Sequence, residues 1–227
     1  MSPGSSRASS WRVARRAGIA SSLDDLLDGY RASLDPVRRS LVERYEVTDL
    51  ALKVVGVGSV GTRCWVLLLQ GVDADDAIVL QAKEAGPSVL EPYVGASDVA
   101  HHGERVVRGQ RLVQAASDLM LGWQTATGID GVARDYYVRQ LHDWKGGVEV
   151  ADLGPEPMAG YGRMCAWVLA RAHARSGDRF AIAGYLGEDG QADDAFADFA
   201  STYADVAERD HAAYAVSLAT TPSGAPG

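Results

Sequence analysis

Leu50-Ala-Leu-Lys-Val-Val-Gly-Val-Gly-Ser-Val-Gly-Thr-Arg-Cys-Trp-Val-Leu-Leu-Leu-Gln70 decides the fold. Leu50 to Val57 is apolar and β-branched, the glycines at 56, 58 and 61 break it, and Thr62 to Gln70 resumes with Cys64, Trp65, Val66 and three leucines. Both flanks suit a pleated surface better than an amphipathic helix. Gly71 to Asp76 supplies a turn, and Ala77-Ile-Val-Leu-Gln-Ala-Lys83 reads as a third strand. The simplest arrangement of the three is an antiparallel meander.

Working outward, Leu23, Leu26, Leu27, Tyr30 and Leu34 recur at helical spacing, and a second short helix follows Pro36 through Val37, Leu41 and Tyr45. Residues 23–48 are thus a helical lead-in to a β-rich lobe over 49–145. Within that lobe Val106, Val113, Ala116 and Met120 mark one face of a helix expected to cover the sheet, and Arg134 to Leu141 is another strand candidate. Gly146-Gly147 and Gly154-Pro155 bracket a connector to a helical portion, residues 146–220. There Met158, Tyr161, Cys165, Val168 and Ala172 line one helix that Gly177 stops, and Phe196, Phe199, Tyr203, Val206, Tyr214 and Leu218 line the last. The fold class expected is α+β: an antiparallel meander with a covering helix, followed by a mostly helical C-terminal half. Residues 1–22, rich in Ser, Arg, Gly and Ala, are expected to be a disordered leader, and 221–227 a frayed tail.

Composition narrows the function classes. A formal net charge of −8 argues against a nucleic-acid footprint, which rests on Lys and Arg density. No apolar run approaches the roughly 20 residues that cross a bilayer. Arg15-Arg16 is not followed by the hydrophobic stretch of an export signal. Cys64 and Cys165 are the only cysteines, without a CxxC or a His/Cys cluster, so neither a disulfide framework nor a zinc site is expected. The expected location is the cytoplasm.

Gly56-x-Gly58-Ser59-x-Gly61 has three readings. A dinucleotide fold needs a helix directly after the glycines to hold the pyrophosphate, and Thr62 to Gln70 does not supply one. A kinase-type clasp needs strand, glycine turn, strand, then a third strand bearing a lysine that grips the phosphates. Gly56, Gly58, Gly61 and Lys83 follow that order. The third reading is a β-bulged hairpin without ligand, in which Lys83 is an edge-strand charge. In the clasp, Lys83 needs an anionic partner, and Glu104 on the following helix is the candidate, with Glu84 and Glu91 as rivals.

Other polar groups read as structural. Arg171, His173 and Arg175 fall in the last turn of a helix, where positive charge suits the macrodipole, and Asp178 lies just beyond Gly177. His101-His102 stands at a helix start without a further ligand one turn on. Asp193, Asp194 and Asp198 serve the first turns of the last helix, with a magnesium site as the alternative. Trp144, after the last strand candidate, is either packed beside a turn or stacked on a base at a hinge.

Val54 to Trp65 resembles a hallmark of the bacterial domain of unknown function 2252. Lys83-Glu-Ala85 with Ser88-Val-Leu-Glu-Pro-Tyr93, Gly109 to Asp118, and Ala170 to Asp178 are similar to later blocks of that family, so the resemblance runs over about residues 23 to 218. It implies an aminoglycoside-phosphotransferase-like kinase fold in permuted order. In such relatives a Gly-Asp-x-His-x-x-Asn-like block and an Asp-rich block precede the glycine loop; neither stands here. The resemblance therefore implies the C-terminal portion of a longer fold, inactive alone.

The function expected is an ATP-binding lobe of a phosphotransferase. Gly56, Gly58, Ser59 and Gly61 would lie over the phosphates of ATP carried with Mg, Lys83 would grip them and Glu104 would orient Lys83. No catalytic or protein metal-ligand residue is assigned. The rival is a non-enzymatic remnant or interaction module, completed by a missing N-terminal half or by self-association.

Overall fold

The computed structural model describes residues 11–12, 23–53, 61–73, 75–128, 130–141 and 147–220. Gly56, Gly58, Ser59 and Trp144 lie outside the described residues.

Six antiparallel strands form one sheet. They are β1 (Trp11–Arg12), β2 (Glu46–Lys53), β3 (Cys64–Gln70), β4 (Ala77–Ala85), β5 (Gly122–Thr127) and β6 (Ala133–Gln140), ordered β1-β2-β3-β4-β6-β5. The expected meander is β2-β3-β4. Three departures extend it. Trp11–Arg12, inside the leader expected to be disordered, pairs with Lys53 and Leu52. Gly122–Thr127 is a strand that the reading of the sequence left out. β6 then folds back between β4 and β5, with a turn in which the Gly128 amide bonds the Val132 carbonyl at 3.0 Å.

Alternation along the strands gives the sheet two faces with different partners. On one, helix α1 (Leu23–Ser33) lies across β5, and Leu27, Tyr30 and Leu34 join Leu50, Leu67, Leu69, Leu80 and Val138 in the core. Close approach is possible because β5 starts on a glycine. A Cβ at Gly122 would stand 2.7 Å from the Tyr30 ring. Tyr30, only 2% exposed, donates its hydroxyl to the Met120 carbonyl at 2.6 Å, so its polar end is satisfied inside the core. Helix α2 (Pro36–Val42) begins with Asp35 as N-cap and Pro36 at its first position. It ends before Tyr45, which was expected on it; Tyr45 instead bonds Asp76 across the β3–β4 turn.

After the single turn α3 (Glu91–Val94), helix α4 (His102–Val113) covers the other face as expected, but it stops before Ala116 and Met120 and buries Gly103 and Val107 rather than the expected Val106 and Val113. His101 caps it, accepting from the Glu104 amide at 3.1 Å.

Beyond a 3-10 turn at Val150–Asp152 the chain is helical: α5 (Pro155–Ser176), α6 (Arg179–Leu186) and α7 (Gln191–Thr220). Gly177 ends α5 as expected, while α6 was not foreseen; Asp178 starts it by accepting from the Phe180 and Ala181 amides, both at 3.0 Å. Asp178 is thus the N-cap of α6. Two compact units divide the chain, residues 1–172 and 173–227. In the second, Phe199 and Tyr203 stack with ring centroids 5.8 Å apart. No helix among the described residues is long and apolar enough to cross a membrane.

Candidate functional site

The face bearing α4 carries the residues that the glycine motif singles out. Cys64, Lys83, Tyr137 and Trp123 form one row across β3, β4, β6 and β5, and Val66, Gln81 and Arg139 form the next. Cross-strand partners point the same way, so Lys83 sits between Cys64 and Tyr137 on one side of the sheet. Lys53, Lys83 and Arg139 all bear electrostatically on the Cys64 thiol. Burial nevertheless wins and pushes that thiol up from its ordinary value. Tyr137 is likewise raised by burial, so both groups are neutral and the row's charge is cationic.

Two polar atoms in the second row are left without partners. Gln81, 2% exposed, donates its amide to Cys64 Sγ at 3.1 Å, and its Oε1 has no hydrogen-bond partner. Arg139 Nε is buried and unpaired as well. A buried acceptor and a buried cationic donor left open are costly in a finished core and useful where a ligand completes them.

Gly61 is in the left-handed region, φ +84°, with open space where a Cβ would stand, so conformation rather than crowding favours glycine there. The anionic partner expected for Lys83 is elsewhere. Glu104 holds Arg108 at 2.6 Å, one turn along α4, and the described residues include no ion pair between Glu104 and Lys83. Its rivals are also engaged: Glu84 lies on the opposite face with Arg63 at 3.3 Å, and Glu91 accepts from the Ser88 amide at 3.2 Å.

Strand register thus gathers Cys64, Lys83, Tyr137, Gln81 and Arg139 on one face of the sheet, and the sequence behind them has relatives. A family described as an uncharacterised protein conserved in bacteria (DUF2252) matches residues 6–216. The chain belongs to the DUF2252 family. The DUF2252 match starts well upstream of residue 23 and takes in most of the leader. No curated protein and no solved structure matches the chain.

Elsewhere in this DUF2252 chain the structure adds a cluster that the sequence did not reveal. Asp135 accepts from Thr125 Oγ1 at 2.8 Å and from the His102 amide at 2.8 Å, and pairs with His101 Nε2 at 3.3 Å. His101 and Asp135 thus pin the start of α4 to β5 and β6, so His101 is engaged rather than free in solvent. Only folding brings positions 101, 125 and 135 together. No cluster of three or more His, Cys, Asp or Glu suited to a metal occurs among the described residues.

Proposed function

We propose that this chain provides the nucleotide-binding lobe of a kinase-like phosphotransferase. Gly56, Gly58, Ser59 and Gly61 would cover the phosphates of ATP and Lys83 would grip them. The observation that carries the reading is that Lys83 faces, in register, the first residue of the strand leaving the glycine turn. Lys53 and Arg139 reinforce the positive potential there, and an ammonium plus a guanidinium beside backbone amides suits a polyphosphate. α4 follows the lysine strand and lies on the same face, the position from which a helical glutamate orients such a lysine. Glu104 would take that role by exchanging Arg108 for Lys83 when nucleotide enters. Magnesium would arrive as the counter-ion of ATP; no protein ligand is assigned to it. The chain contains no Gly-Asp-x-His-x-x-Asn sequence, so phosphoryl transfer by this chain alone is not part of the proposal. On this reading the protein works in the cytoplasm.

Calorimetric titration with ATP, with and without magnesium, tests it. Wild type should bind saturably, and Lys83→Ala should bind about 10- to 100-fold more weakly, the loss of one charge-assisted contact. Equal binding by both proteins, or none by either, rejects the clasp.

One observation favours a second reading, an interaction module. Trp167, Phe180, Tyr185 and Phe196 are each more than half exposed, and α5 and α6 contain no buried residue. Exposed aromatic groups of this kind mark association surfaces. Self-association would appear in light scattering across a concentration series; a constant monomer mass would remove it.

A further inference from the structure

Between α1 and the face of the sheet opposite Lys83 lies a partly open cavity of about 420 Å³. Its walls are apolar: Leu26 and Leu27 from α1, with Leu52, Leu67, Leu80 and Val138 from the sheet. A space of that size is within the range of small-molecule sites, and its apolar walls would gain by exchanging water for an apolar ligand. Nothing in the nucleotide proposal uses it.

One polar side chain in the wall is unengaged. Gln124 is 9% exposed, lines the cavity, and makes no side-chain hydrogen bond among the described residues. It sits against α1: a Cβ on Gly29 would meet Gln124 Oε1, so a side chain there would turn the amide aside. Of the other polar groups around the space, Tyr30, Arg63 and Asp130 have partners. Tyr30 donates to the Met120 carbonyl.

The rim is charged but balanced. Arg63 reaches Glu84 at 3.3 Å and Asp130 at 3.4 Å, while Arg134 reaches Asp130 at 2.6 Å and Glu84 at 3.6 Å. Two cations and two anions cancel, and hydrogen bonding from Arg134 holds the Asp130 carboxyl well below the usual carboxylate range. A charged ligand head would find no uncompensated partner there and would lose its hydration on entry. A carboxamide, by contrast, offers both a donor and an acceptor to a neutral oxygen.

We infer that the cavity between α1 and the sheet is a binding site for a compact neutral molecule with an apolar body and a single hydroxyl or carbonyl oxygen, which Gln124 bonds. The site is on the far side of the sheet from the phosphate clasp, so the two stand or fall separately.

The test uses 1-octanol as probe on the full chain with leucine methyls labelled for NMR. One saturable site should shift the methyls of Leu50, Leu67 and Leu80. Gln124→Leu should weaken binding about three- to tenfold, the loss of one neutral hydrogen bond. Octylammonium should bind far more weakly than octanol, and Lys83→Ala should leave octanol binding unchanged. Ala82→Phe should fill the space and abolish binding while circular dichroism stays native; if that variant does not fold, Ala126→Leu fills the same space from β5. Absence of a saturable shift, shifts confined to exposed Leu169 and Leu186, or binding undiminished by a folded filling variant would overturn the site.

Discussion

Asp76 accepts the Tyr45 hydroxyl at 2.7 Å and the Val72 amide at 3.1 Å, tying the start of β2 to the β3–β4 turn. The hydrogen bond from Tyr45 lowers the Asp76 carboxyl, and the same bond raises the Tyr45 phenol. A depressed carboxyl stabilises the fold above its ordinary value and loses that contribution as pH falls through its lower folded value; a raised phenol loses its share as pH rises through its higher one. The pair should therefore support the lobe between about pH 5 and 9. Melting of wild type and Asp76→Asn should differ most across that interval and converge only in stronger acid, as pH falls past the ordinary carboxylate range and through the lowered folded value of Asp76, because wild type then loses the same interaction. A difference that persists unchanged into acid would show that the carboxylate is not what matters.

Helix α4 contains two glycines with opposite roles. A Cβ on Gly103 would collide with the Tyr136 carbonyl oxygen, a rigid backbone atom of β6, whereas one on Gly109 meets nothing within 4 Å. Gly103 is therefore the point at which the helix lies directly on the sheet, close to the Asp135 anchor at its start. Gly103→Ala should destabilise the lobe by about 1–3 kcal/mol in urea denaturation, because backbone must move. Gly109→Ala should stabilise it by about 0.5–1 kcal/mol through helix propensity. Equal effects at both positions would contradict this packing of α4.

At the scale of the whole molecule, burial is concentrated in the sheet lobe. Leu69, Leu80, Val107 and Leu121 are at most 1% exposed, while no described residue of α5, α6 or α7 is buried. Opening a helix whose side chains are already in water costs little beyond its own hydrogen bonds. Amides of α5 to α7 should exchange with deuterium at least about 100-fold faster than those of β3 and β4. Comparable protection in both regions would mean that the helices bury their apolar faces in solution, as the interaction module requires.

Alternation in Leu50–Gln70 and Ala77–Lys83 sufficed for three strands, because their core-facing residues are leucines and their turns are glycines. β5 escaped notice because its buried positions are Gly122 and Gln124, which carry no hydrophobic signal; glycine is there to admit Tyr30, and the amide faces the cavity. The order Gly56, Gly58, Gly61, Lys83 was also visible in the chain. That Cys64 and Tyr137 flank Lys83, that Glu104 is held by Arg108, and that His101, Thr125 and Asp135 meet was not. Local sequence by itself determined which segments extend and which coil, since that depends on side-chain period and turn residues within a few positions. Tertiary structure alone decided what stands beside what, because inserting β6 between β4 and β5 sets the cross-strand register, and register is fixed by contacts between residues tens of positions apart.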